Sequence, residues 1–266
     1  MIGALVMAVV SAACTTSFTG SVNGNGHGHG HVLYQYSTLV ALMEGLYDGD
    51  ATVASIRSHG DFGLGTFNGL DGEMVVVDGQ VYQAGKDGAS KVAGYSTKTP
   101  FAVVVFFLPD STISIDTPMS CSVLEEIVTK SLPSSNIPYA IRVDGQFVSV
   151  TARTASPQSK PYRKLSVAIK EQSTFEIKDK TGTLIGFYIP EYMKDLNVKG
   201  YHFHFISDDR AVGGHLLDCR VAKATVYVEA MKTVSVDLPG GSDFYDAKMG
   251  GVVENDVDKV EKDTHK

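Results

Sequence analysis

Tryptophan is absent from the 266 residues, and cysteine occurs only three times, at Cys14, Cys121 and Cys219. Three cysteines are too few for a disulfide scaffold, and Cys121 and Cys219 either pair with each other or stay free. A basic excess is missing too: 23 Lys and Arg stand against 30 Asp and Glu, for a net charge of −7. That balance disfavours nucleic-acid binding, which normally needs a positive face. No apolar run reaches the ~20 residues of a membrane span, and no internal repeat is visible. What is present is an ordinary hydrophobic share of 43% with 20% charged residues, which excludes disorder as the main state. The length suits one large domain or two small ones, and 27 glycines point to many turns between short strands.

Met1 to Ala13 (MIGALVMAVVSAA) is an apolar run of signal-peptide length ending in small residues. It lacks the usual preceding Lys or Arg. Ser11-Ala12-Ala13-Cys14 only hints at a lipoprotein box, because Ser11 replaces a large aliphatic. The expectation is a cleaved signal and a secreted or extracytoplasmic protein; an uncleaved apolar N-terminus would mean a cytoplasmic one. A Gly-rich linker follows, with His27, His29 and His31 alternating with glycines. It reads as a solvated tail rather than a fixed metal site, so residues 1–31 are left out of the fold.

Beyond the linker, Tyr36 to Tyr47 carries Leu39, Leu42, Met43 and Leu46 at helical spacing. Asp50 or Thr52 caps a second helix that Gly60 stops. Asp78-Gly79 joins two strands, Met74–Val77 and Gln80–Gln83. Phe101 to Leu108 is a continuous apolar run suited to a strand buried on both faces. Cys121 to Lys130 is helical in pattern. Asp144-Gly145 and Asp179 to Gly182 each look like the turn of a hairpin, and Tyr201–Ser207 with Gly214–Val221 makes another. Ala155 to Pro161 looks like a connection between halves. The expected fold class is α/β of the α+β type: mixed, largely antiparallel β-sheets with a few helices, in two closely packed subdomains.

The sharpest chemical signal is Tyr201-His202-Phe203-His204-Phe205. In a strand alternate residues share a face, so His202 and His204 project together. Asp208-Asp209-Arg210 turns the chain, and Gly213-Gly214 leads to His215, which a returning strand brings beside the first two. Three imidazoles with a fourth position open is the pattern of a catalytic zinc site; copper, iron, nickel or manganese suit the same nitrogens. The plainer reading is a pair of packed or hydrogen-bonded strand histidines. His59 and His265 lack such company and read as surface residues. Cys219, in a strand beside apolar residues, reads as packed rather than reactive.

From about Tyr34 to Glu261 the chain resembles the alpha-acetolactate decarboxylase family. Four blocks carry the resemblance in order. They are Gly60-Asp61-Phe62-Gly63-Leu64-Gly65-Thr66-Phe67 with Leu70-Asp71-Gly72-Glu73; Thr99-Pro100-Phe101-Ala102; Tyr139-Ala140-Ile141-Arg142 with Arg153, Gln158 and Lys160-Pro161-Tyr162; and Gly200 to Phe205 with Asp208-Asp209-Arg210 and Gly213-Gly214-His215. The resemblance implies a zinc-dependent carbon–carbon lyase of acetoin biosynthesis, on the butanediol route, that converts 2-acetolactate to acetoin and carbon dioxide. It implies His202, His204 and His215 as metal ligands, Glu73, Arg153 and Glu261 as catalytic groups, and Thr66 with Arg153 as substrate-binding groups. Glu254 rivals Glu261 for the C-terminal role.

The expected organisation is a signal-like segment and Gly/His linker (1–31), in which the chain departs from the usual family pattern, an N-terminal α/β subdomain (32–155) and a C-terminal, metal-binding, β-rich subdomain (156–266) whose tail, by the resemblance, folds back over the site. The partner is a small 2-hydroxy-3-oxo acid, with no nucleic acid and no stable membrane span. Exposed hairpin edges leave room for a homodimer.

The chemistry suits these groups. Losing carbon dioxide from acetolactate leaves electrons that settle into an enediolate, and a divalent cation stabilises that charge. A guanidinium offers a planar fork for carboxylate oxygens. A carboxyl working as general acid near neutral pH needs shelter from water. Taken alone, each residue has a plainer role. Arg153 reads as a surface partner of Asp144 or Glu191. Glu73, after Asp71-Gly72, reads as a solvated turn carboxylate. Glu261 reads as the polar face of a short helix with Val253, Val257 and Val260 inward. The competing functions are a cupin-like metal oxygenase or isomerase and a non-catalytic secreted metal-binding protein.

Overall fold

A computed structural model describes residues 30–250 together with Val257 and Val260. The signal-like run, Cys14, His27, His29, Val253, Glu254, Glu261 and His265 lie outside the described residues.

The chain runs β1 (Val32–Tyr36), α1 (Leu39–Met43), β2 (Ala51–Thr52), α2 (Val53–Arg57), β3 (Phe62–Thr66), β4 (Glu73–Val77), β5 (Gln80–Ala84), β6 (Ser90–Val92), β7 (Lys98–Thr99) and β8 (Ala102–Val105). It continues through β9 (Ser111–Ile115), β10 (Met119–Ser120), α3 (Cys121–Ser131), β11 (Tyr139–Thr154), α4 (Leu165–Ala168), β12 (Ser173–Ile189), β13 (Gly200–Ser207), β14 (Gly213–Ala230), β15 (Thr233–Asp237) and α5 (Ser242–Asp246).

Two sheets dominate. The first has seven strands in the order β15-β1-β8-β3-β4-β5-β6, antiparallel apart from the β1–β15 pair. In the second, β11 pairs with β12 and β14, β12 with β13, and β13 with β14, so the four long strands close into a ring. The ring draws on both sides of residue 155, and β15 returns to the first sheet. One apolar core joins the sheets, with Leu64, Val75 and Val103 from the first meeting Ala140, Ile185 and Phe187 from the second. A second core fills the far side of the ring, where α3 lays Leu124 and Val128 against Phe203 and Phe205.

Local chemistry explains most elements. Thr38, Thr52 and Ser120 cap α1, α2 and α3, each accepting a backbone N–H three residues on. Asp78 (φ 52°) and Gly79 (φ 72°) both adopt the left-handed conformation of a tight two-residue hairpin between β4 and β5. The buried run keeps strand geometry over Ala102–Val105, all fully buried between β1 and β3, and then leaves the sheet as Phe107 N donates to Asp61 Oδ1.

Three expectations need correction. The first helix is confined to Leu39–Met43: Tyr36 pairs with Ala102 in the sheet, and Gly45 (φ 90°) ends the helix. Asp144-Gly145 is no turn. It lies inside β11, where Asp144 faces Thr183 and Thr225 in the flanking strands and its carboxylate accepts from Arg142 Nε at 2.9 Å and Thr183 Oγ1 at 2.8 Å. Asp179 to Gly182 likewise lies within a continuous β12; Asp179 (φ 48°) marks a local irregularity rather than a reversal. In both cases ladders on the neighbouring strands override the local turn signal.

Cys121 and Cys219 form a disulfide that ties the start of α3 to β14. His59 is half-buried and stacks on Tyr34, with ring centroids 3.7 Å apart. Among the described residues no helix is long and apolar enough to cross a membrane.

Candidate metal centre

The site forms where the two sheets face each other. On the ring, His215 of β14 is register partner to both His204 of β13 and Arg153 of β11. Cross-strand partners share a face, so these three side chains form one row, and His202 joins from two residues along β13. The first sheet supplies the opposite row, with Thr66 of β3 opposite Glu73 of β4. Gly72 (φ 83°) allows the chain to turn into β4, and a Cβ there would collide with Ala84 O at 2.2 Å.

His202, His204 and His215 each offer a ligand nitrogen, all within 4.8 Å of one another. His202 Nε2 and His215 Nδ1 are 3.2 Å apart, and the ring centroids lie between 4.9 and 5.4 Å. His204 and His215 are buried, while His202 keeps a partly open edge. His204 Nδ1 donates to Met74 O at 2.8 Å, which fixes the tautomer and leaves Nε2 with its lone pair toward the site. Burial, aided by the charge of Arg153, pushes His202 down to about 3. Burial and the neighbouring His202 push His204 well below the usual imidazole value. Neutral imidazoles are the metal-binding form, so the donor set fits a divalent transition ion.

Beside the imidazoles lies a buried ion pair. Glu73 is 6% exposed and Arg153 4% exposed, with Arg153 Nη1 3.6 Å from Glu73 Oε1. Ala155 N donates to the same Oε1 at 3.1 Å, and Oε2 faces His204 Nε2 at 3.7 Å. Arg153 Nη2 donates to Val260 O at 2.9 Å. Val260 and Val257 are buried with Leu39, Leu42, Leu165 and Ile169, and Val260 forms part of the pocket wall. Thr66 lines the same pocket, its Oγ1 donating to Gly72 O at 2.8 Å.

The structure thus brings together His202, His204, His215, Glu73, Arg153 and Thr66. Neither plainer surface reading describes Arg153 or Glu73: Asp144 is engaged by Arg142, and Glu191 by Lys194 and Lys199. Glu261 and its rival Glu254 fall outside the described residues. Sequence reasoning missed the main-chain groups Met74 O, Ala155 N and Val260 O, for which residue identity gives no signal.

The family profile of alpha-acetolactate decarboxylase matches residues 33–251. An alpha-acetolactate decarboxylase from Methanosarcina mazei is 44% identical over 231 residues, covering 87% of this chain and 80% of the relative. One from Klebsiella aerogenes is 41% identical over 218 residues, covering 82% and 84%. The crystal structure of alpha-acetolactate decarboxylase from Bacillus subtilis strain 168 superposes with a TM-score of 0.85 at 38% identity, covering 87% of this chain and 99% of that one.

Proposed function

The chain belongs to the alpha-acetolactate decarboxylase family, and from that premise we propose that it decarboxylates 2-acetolactate to acetoin and carbon dioxide at a centre whose divalent ion, zinc by the family resemblance, is held by His202, His204 and His215. The observation that carries this reading is the convergence of three imidazoles on the Glu73–Arg153 pair in one pocket. When bound, the ion supplies positive charge that steadies the developing enediolate.

The chain's own groups do the rest. Arg153 binds the anionic substrate through its guanidinium fork. The bond from C2 to the carboxylate carbon breaks, its electron pair passes into the enediolate, and carbon dioxide leaves. One proton is then taken up at C2. With the substrate carboxylate taking over the charge of Arg153, Glu73 holds a proton at Oε2, the oxygen turned toward the imidazoles because Oε1 is engaged by Ala155 N and Arg153. It gives that proton to C2 and regains one from water; Glu261 is the alternative donor. Thr66 and the aliphatic wall of Leu39, Leu42 and Val260 shape the space and limit water.

The Cys121–Cys219 disulfide supports work in an oxidising compartment, in keeping with a signal role for residues 1–13. The deciding assay supplies racemic acetolactate, follows acetoin, and measures metal by elemental analysis after dialysis. Acetoin with stoichiometric metal supports the reading. No acetoin sinks the activity, and full activity after exhaustive metal removal sinks the metal.

A further inference from the structure

His202 and His215 line two cavities, not one. The inner cavity holds the Glu73–Arg153 pair and apolar walls. The outer one lies against α3, between the diverging ends of β13 and β14. The divergence is visible in the ladder: β13 pairs with β14 only through His204↔His215, Phe205↔Gly214 and Ile206↔Gly213. From Gly200 to Phe203, β13 pairs with β12 alone, and from Leu216 to Asp218, β14 pairs with β11 alone. A notch therefore opens with the imidazoles at its apex.

Charge separates the two cavities. Among the described residues lining the outer cavity, the Asp, Glu, Lys and Arg side chains are Glu125 and Asp218, both acidic. Asp218 is exposed and Glu125 half-buried. In the inner cavity an anion meets Arg153, whose charge Glu73 partly offsets, and in the outer one it meets only acidic side chains. For a cation the preference is reversed.

We propose that the notch between β13 and β14 is the route by which the divalent cation reaches the three imidazoles, with Glu125 and Asp218 concentrating it at the mouth, separate from the inner cavity that receives the anionic substrate. A cleft of one sign raises local counter-ion concentration and association rates, an effect that salt suppresses. The inference rests on reading His202, His204 and His215 as ion ligands.

The test uses the full chain stripped with chelator and checked for retained fold by circular dichroism. Co2+ alone is added, and its visible absorption is followed through time. The Glu125→Gln/Asp218→Asn double variant is expected to take up Co2+ about tenfold more slowly at low ionic strength. That difference should shrink severalfold in 0.5 M salt (an order-of-magnitude screening argument), with final metal content and loaded turnover as in wild type. Ser122→Lys, an exposed change on the same wall, should slow uptake in the same direction without touching either carboxylate. Unchanged uptake in both variants, or a slowing that salt does not affect, overturns the route. A wild-type chain that takes up no Co2+ overturns the triad as an ion site, and the route falls with it.

Discussion

Arg153 and Glu73 sit 80 positions apart in the chain, yet their side chains meet at 3.6 Å in a pocket that leaves both almost without solvent. Removing one partner strands a buried charge, a change that typically costs about 3–5 kcal/mol. Arg153→Ala should lower stability on that scale and abolish turnover while metal content holds. Chemical denaturation, elemental analysis and the acetoin assay read the three effects separately. A stable, active Arg153→Ala chain would remove the pair from the site. Arg153→Lys should restore little turnover, because an ammonium cannot present two parallel donors.

His202→Ala should lose metal and activity together while far-UV circular dichroism stays like wild type. The ring sits at the partly open edge of the cluster, so its truncation disturbs packing less than that of His204, which is 1% exposed and bonded to Met74 O. Metal retained at the wild-type level would count against the ligand assignment.

The Cys121–Cys219 bond spans a sequence separation of 98. Closing a loop of that length removes about 4–5 kcal/mol of unfolded-chain entropy in the chain-entropy account. Cys121→Ser/Cys219→Ser should lower the unfolding midpoint, and reductant should destabilise wild type but not the double variant. Equal midpoints for the two proteins under oxidising conditions would show that the bond contributes nothing.

Glu229 is fully buried, and burial pushes its carboxyl up to about 7, although the backbone N–H groups of Leu108 and His31 pull the other way. The folded state therefore binds this proton more tightly than the unfolded chain. Stability from this group is complete below the ordinary carboxyl value and is lost as pH rises through about 7. Glu229→Gln should flatten the slope of unfolding free energy between pH 4.5 and 7, whatever it does to stability overall. An unaltered slope in denaturant titrations at several pH values would refute the assignment.

Legibility from sequence followed the range of the interaction. The Asp78-Gly79 hairpin was readable because both residues supply the left-handed conformation that the turn uses, and no other strand competes for them. Asp144-Gly145 carried the same letters and failed, because β12 and β14 bond to that stretch from either side. The imidazole cluster was readable because strand alternation and one short turn place all three rings within 14 consecutive residues. Glu73 beside Arg153 depends on how two sheets stack, which no local pattern encodes; only the resemblance pointed to it. Sequence alone does not decide the cysteine pairing for the same reason, since the bond joins α3 to a strand 98 positions away.

The ring of β11 to β14 is shut by only three residue pairs, and one of them is His204 opposite His215. The seam that shuts the ring is thus also the contact that sets the His204 and His215 ligand nitrogens side by side. An ion held by the three imidazoles would span this short seam, and its binding energy would count toward the folded state. Starvation for metal would then show first as shortened lifetime of the protein against proteolysis, ahead of any slowing of its chemistry.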